Sequence, residues 1–175
     1  GIEPTEAKDV QTAVKAIPGS IGILLNGDGT RVALVDEDGK YVNGNNLLAL
    51  LVKFMKPKDI VIPVDVSASV DRAFWGGKEE TDDRRIVKCE SSLGALCATM
   101  KAEKIGFGAL GNGSIIMPGM TLCPDGVMAA AMVSKYAGSN SLSSALDDMD
   151  DYITDTVKIH CTGSYEALWR KIAES

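Results

Sequence analysis

Histidine occurs once in this chain, at position 160, so neither a Ser-His-Asp relay nor a multi-histidine metal site can be assembled from its own residues. Aromatic residues make up only 5%, which leaves few rings for stacking on bases. Basic residues are outnumbered, 18 against 24 acidic, and the net charge of -6 argues against a nucleic-acid partner. No apolar run approaches the roughly 20 residues of a membrane span. No basic-then-apolar leader opens the chain, so a cytoplasmic location away from membranes is expected. The four cysteines (Cys89, Cys97, Cys123 and Cys161) form no C-x-x-C pair. They read as buried free thiols of a reducing compartment rather than zinc ligands or disulfides.

What is present is ample apolar material: 45% of 175 residues, enough to give one domain, or one domain plus part of another, a real core. Thr5 is the expected N-cap of a helix to about Ala16, with Val10, Ala13, Val14 and Ile17 as its apolar stripe and Pro18-Gly19 as its stop. Asn45 to Met55 reads as a helix buried on most of its circumference. Asp59 to Val66 reads as a strand, Ser67 to Trp75 as a helix, Ile86 to Cys89 as a strand, and a helix opens at Ser91 or Ser92. Strands at Ile105–Ala109 and Ser114–Met117 flank Gly111-Asn112-Gly113, a hairpin connection that makes one of them antiparallel. Helices follow at Asp125–Tyr136 and Leu142–Tyr152, the latter capped by Ser141. Alternating strands and helices predict an α/β/α sandwich with a mixed, mostly parallel sheet. The methionines at 117, 120, 128, 132 and 149 read as core filling. The charge run Lys78 to Arg85 reads as a solvated loop.

The feature with most chemical content is Asn26-Gly27-Asp28-Gly29-Thr30-Arg31, set between the apolar runs Ile21–Leu25 and Val32–Val35. Oxygen-bearing side chains at alternate positions 26, 28 and 30 can face one side of a tight loop and surround a hard cation. An EF-hand is excluded, because Arg31 occupies the place that needs glycine and the flanks are strands. Gly106 to Gly111 fits G-x-G-x-x-G, but a turn and strand follow where a dinucleotide site needs a helix. Ser67 and Ser69 read first as caps of the next helix.

The 26–31 loop resembles the Asp-x-Asp-x-Asp-Arg magnesium loop of the α-D-phosphohexomutases, the phosphomannomutase/phosphoglucomutase superfamily, with Asp28 and Arg31 unchanged. Further elements follow in the family's order: Gly44 to Leu51, Val61-Ile62-Pro63-Val64 with Ser67 and Ser69, Lys88, Gly108 to Gly113, and Asp125-Gly126. The resemblance implies that residues 1–39 end the family's second domain, 40–155 form its third, and 156–175 begin its fourth. It implies a central fragment, or a mutase that lost its ends. It also implies a hexose phosphate as ligand, with Arg31, Lys88, Leu110, Asn112 and Ser114 at phosphate- or sugar-binding positions. No catalytic residue is implied within the chain, which lacks the phosphoserine loop.

Two departures carry weight. Asn26 and Thr30 replace aspartates at the metal loop, so magnesium at Asn26, Asp28 and Thr30 is expected to be weak or absent. Leu110 replaces the sugar loop's glutamate and cannot accept hydrogen bonds from hydroxyls. A chain inactive alone, from a degenerate paralogue, is therefore one expectation; a noncatalytic sugar-phosphate-binding or assembly module is the alternative. The resemblance further implies that the strand pair at 21–35 belongs to a larger sheet, whose exposed edges predict a homodimer.

Overall fold

The computed structural model describes residues 1–76, 83–119, 121–147, 149 and 163–173. Most of the charge run (78–82), Met120, the expected helix end at 150–152, His160, Cys161 and residues 156–162 and 174–175 lie outside the described residues.

A short 3-10 turn, Pro4–Glu6, precedes helix α1, Lys8–Ala16. Thr5 therefore caps nothing: it lies inside the 3-10 turn, and the residue before α1 is Ala7. The expected stripe is narrower too. Val14 is buried, Val10 is half-buried and Ala13 is exposed; Ile17 is exposed too, having already left the helix.

Strands β1 (Gly22–Leu25), β2 (Val32–Val35) and β3 (Tyr41–Val42) form an antiparallel sheet in that order, with Ile23 opposite Leu34 and Leu34 opposite Val42. The sheet thus continues two strand residues past the boundary expected at 39. Alternation along β2 sends Val32 and Leu34 into the main core, and Ala33 and Val35 towards α1. The turn between β2 and β3 is closed by Asp36, whose buried carboxylate accepts the amides of Asp38 and Lys40 at 3.1 and 2.8 Å.

Helix α2, Gly44–Met55, starts at Asn43, whose side chain accepts the Asn46 amide, and ends at Lys56 in the left-handed conformation just before Pro57. Its residues from Leu47 to Val52 are all buried. Strand β4 (Asp59–Pro63), helix α3 (Ala68–Trp75, capped by Ser67), strand β5 (Arg85–Cys89) and helix α4 (Leu93–Glu103, capped by Ser92) follow. The strands at the expected hairpin are shorter than expected: β6 is Gly108–Ala109 and β7 is Ile115–Ile116. Helices α5 (Gly126–Ala137), α6 (Leu142–Asp147) and α7 (Tyr165–Ala173) complete the described chain.

The second sheet has the order β5-β4-β6-β7, parallel except for β7. Ile60, Ile62 and Ile115 face α2, α3 and α5, while Val61 and Ile116 face Leu96 and Met100 of α4. Helices on both faces of a mixed sheet make the expected α/β/α sandwich. Met117, Met128, Met132 and Met149 pack in or against the main core, as expected. Of the cysteines described, Cys89 is buried and Cys97 partly so, but Cys123 is exposed because it sits in the loop before α5. Among the described residues no helix is long and apolar enough to cross a membrane.

Candidate functional site

The 26–31 loop is the turn of the β1–β2 hairpin, closed by backbone bonds from Asn26 N to Arg31 O (3.2 Å) and from Gly29 N to Asn26 O (3.1 Å). Asn26, Asp28 and Thr30 do converge, and they converge on one another. Asn26 Nδ2 donates to Thr30 Oγ1 at 3.2 Å, and Thr30 Oγ1 donates in turn to Asp28 Oδ1 at 2.6 Å. The same carboxylate oxygen accepts the Thr30 amide at 3.0 Å, and Asn26 Oδ1 accepts the Arg31 amide at 2.8 Å. The bonds from Thr30 hold the Asp28 carboxyl below the usual carboxylate range.

The second loop, between β6 and β7, is closed by Leu110 N donating to Ser114 O at 2.9 Å and Ser114 N donating to Asn112 Oδ1 at 3.1 Å. The fold then joins the two loops directly. Arg31 and Ser114 form an antiparallel bridge, and Val32 N donates to Gly113 O at 3.1 Å. Gly113 has φ +88°, and a Cβ there would run into Val32 O. The start of α5 locks the joint: Gly126 N donates to Gly29 O at 2.8 Å, and a Cβ on Gly126 would lie 2.8 Å from that same oxygen. Only residues without side chains permit this approach.

Beside the joint lies a cleft of about 230 Å³, lined among others by Glu3, Arg31, Tyr41, Asn43, Gly111 and Asn112. Among the described residues no carboxylate pairs with Arg31. Other expected site residues are committed to the fold. Leu110 packs against the core cluster under α4, and Ser114 is buried. Lys88, on β5, donates to both carboxylate oxygens of Asp71 on α3, at 2.8 and 3.0 Å. Asp65, in the turn before α3, accepts the Ser91 hydroxyl at 2.6 Å. Asn43 was not expected at the site; its signal was its place directly before the buried helix, where a cap also borders the cleft.

A larger cavity of about 480 Å³ is lined by Ser20, Glu37, Ser134 and Asn140 among others. Its one carboxylate, Glu37, is occupied by the Ser141 hydroxyl and by the amide and hydroxyl of Ser143. That contact anchors the start of α6 rather than presenting a free group.

No protein-family model matches the chain. A probable phosphoglucosamine mutase of Methanocella arvoryzae is 33% identical over 147 residues, which are 82% of this chain and 32% of that protein. The chain belongs to the α-D-phosphohexomutase superfamily. Solved phosphohexomutase structures share its fold. A phosphoglucomutase/phosphomannomutase family protein of Burkholderia thailandensis superimposes with a TM-score of 0.74 at 17% identity, covering 86% of this chain and 33% of the other. A putative phosphomannomutase of Thermus thermophilus gives 0.72 at 16% identity, covering 84% and 34%. The phosphohexomutase-type chain thus spans about a third of the length of the curated relatives it matches.

Magnesium, which the resemblance implies at the 26–31 loop, takes about six oxygens in a near-octahedral shell. This phosphohexomutase loop offers one carboxylate; its amide oxygen and its hydroxyl are already bonded within the loop. Such a donor set does not fit the ion. Among the described residues no group of three or more His, Cys, Asp or Glu side chains is placed to hold a metal.

Proposed function

We propose that this chain is the part of a phosphohexomutase-type protein that holds a hexose phosphate, while phosphoryl transfer between the 1- and 6-positions depends on groups outside it. The observation that carries the reading is the joint between the two loops, where the Arg31–Ser114 bridge sets a cationic side chain beside the hairpin at the sugar loop's position. Relatives in sequence are named phosphoglucosamine mutases, so an aminohexose phosphate is the first ligand to test. Magnesium has no part in this reading, because the donor set does not suit it. On the same reading residues 1–39 end one family domain, 40–155 form the next and 156–175 begin another, in a cytoplasmic protein.

A free-standing assembly module is less well supported, since it gives no reason for the match to enzymes along four-fifths of the chain. Phosphorus NMR of the chain with glucosamine 1-phosphate tests the proposal. Line broadening without appearance of the 6-phosphate is the expected result. Turnover by the chain alone would refute the division of labour, and an unperturbed spectrum would refute the binding.

A further inference from the structure

We propose that Cys97 and Cys123 are a redox-sensing thiol pair, closed to a disulfide by hydrogen peroxide, which ties the chain entering α5 to α4. Both stand as free thiols, Cys97 half-buried on α4 and Cys123 exposed in the loop before α5. The Cys97 Sγ donates to Leu122 O at 3.5 Å. The planar trans peptide at that oxygen holds the Cys123 Cα about 2.8 Å from it, so the Cys97 sulfur lies at most about 6.3 Å from that Cα. A disulfide needs roughly 4 Å between those atoms, a difference that a loop movement of about 2 Å closes. Residues 121–125 belong to no helix or strand, and the Cys123 N to Thr121 O bond of 2.7 Å lies inside the loop and travels with it.

Exposure sets the order of events. Burial pushes the Cys97 thiol up, and the neighbouring Cys123 adds to the rise, so the exposed Cys123 meets the oxidant first. Its thiolate attacks the peroxide: an S–O bond forms, the O–O bond breaks, and water leaves a sulfenic acid. The Cys97 sulfur then attacks that sulfenic sulfur. The S–S bond forms, the S–O bond breaks, and the departing hydroxide takes the Cys97 proton to leave as water. Two thiols are oxidised and one peroxide is reduced to two waters. In a reducing compartment the pair rests as thiols and closes only when oxidant rises. The consequence reaches the joint between the loops, because the next two amides hold it: Asp125 N donates to Ile115 O at 2.9 Å and Gly126 N to Gly29 O at 2.8 Å. This inference stands apart from the hexose-phosphate reading.

Peptide mapping of the folded 175-residue chain after peroxide and alkylation decides the matter. Trypsin with a glutamate-specific protease cuts after Glu90 and so separates Cys89 from Cys97. One disulfide joining the 91–101 and 105–135 peptides is expected, with Cys89 and Cys161 alkylated. Amide exchange at Asp125 and Gly126 should slow by about tenfold in the oxidised chain and recover in dithiothreitol. Cys123→Ser, at an exposed position, should leave Cys97 alkylatable and the exchange indifferent to peroxide. Glutathione disulfide closes the same bond by two exchanges that release two glutathiones; it spares the methionines and should give the same map. A disulfide to Cys89 or Cys161, a sulfinic acid at Cys123 beside a free Cys97, or a crosslink that forms only in urea would overturn the pair. A Cys97–Cys123 bond that leaves exchange at Asp125 and Gly126 unchanged would overturn the tether.

Discussion

Thr30 joins an amide to a carboxylate with one hydroxyl, and the consequences can be measured at single side chains. Thr30→Val keeps the shape and removes the bonds to Asn26 and Asp28 made through Oγ1. Asp28 should then titrate closer to an ordinary aspartate, followed by carbon NMR of its carboxyl across pH. The sign is fixed by the depressed folded-state value. Its stabilisation is present above the ordinary aspartate pKa and is lost as pH falls through the lowered one, so Thr30→Val should flatten that acid limb. Asp36 behaves oppositely. Burial pushes its carboxyl up, with the Lys40 and Asp38 amides opposing. Its contribution is full below the unfolded pKa and fades as pH rises through the raised one. Asp36→Asn keeps an acceptor for both amides and removes the desolvated charge. Urea unfolding at neutral pH should find it no less stable than the parent, and a loss above about 1 kcal/mol would contradict the burial argument. Restoring charge by Asn26→Asp with Thr30→Asp should create saturable magnesium binding by calorimetry; if parent and variant bind alike, ligand charge is not what the loop lacks.

At the scale of elements, the joint between loops rests on close backbone approach. Gly113→Ala places a Cβ against Val32 O at a left-handed φ, and Gly126→Ala places one against Gly29 O and the Arg31 carbonyl. Each should cost about 1–3 kcal/mol in urea unfolding and speed amide exchange in the 26–31 loop. A cost within about 0.5 kcal/mol, the range of a neutral surface change, would mean the loops are not locked. These contacts explain which features could be read from sequence. Leu47 to Val52 announced a helix buried all round, and the turn residues at 111–113 announced the antiparallel pair, because local patterning decides both. Thr5 misled because Pro4 starts a 3-10 turn that opens at Glu3, whose amide donates to Glu6 Oε2 at 3.2 Å, so Thr5 falls inside the turn. Leu110 could be recognised as a departure from the sugar-loop pattern, yet its seat under α4 depends on Leu96 and Met100, which are distant in sequence. The commitment of Lys88 to Asp71 was illegible for the same reason: it joins residues 17 apart on different elements. Spacing can propose a site residue, but only the fold decides what that side chain is already bonded to.

Across the whole molecule the open question is the edge of the first sheet. Among the described residues strand β1 pairs only with β2, and it carries Ile23 and Leu25, each 39% exposed. Both point to the face opposite α1, so apolar surface and unpaired backbone groups lie together. Proteins usually blunt such edges with charge or proline, and β1 has neither. A second copy laid antiparallel on β1 would satisfy both requirements under a two-fold axis. Multi-angle light scattering at rising concentration should therefore report a shift from monomer towards dimer. Ile23→Lys, which puts a charge on the edge without touching the Gly22 and Leu24 face against α1, should hold the chain monomeric with unchanged thermal stability. A parent that stays monomeric at every concentration would show that four residues of open strand are too short to recruit a partner. A variant that still dimerises would place the contact on another surface.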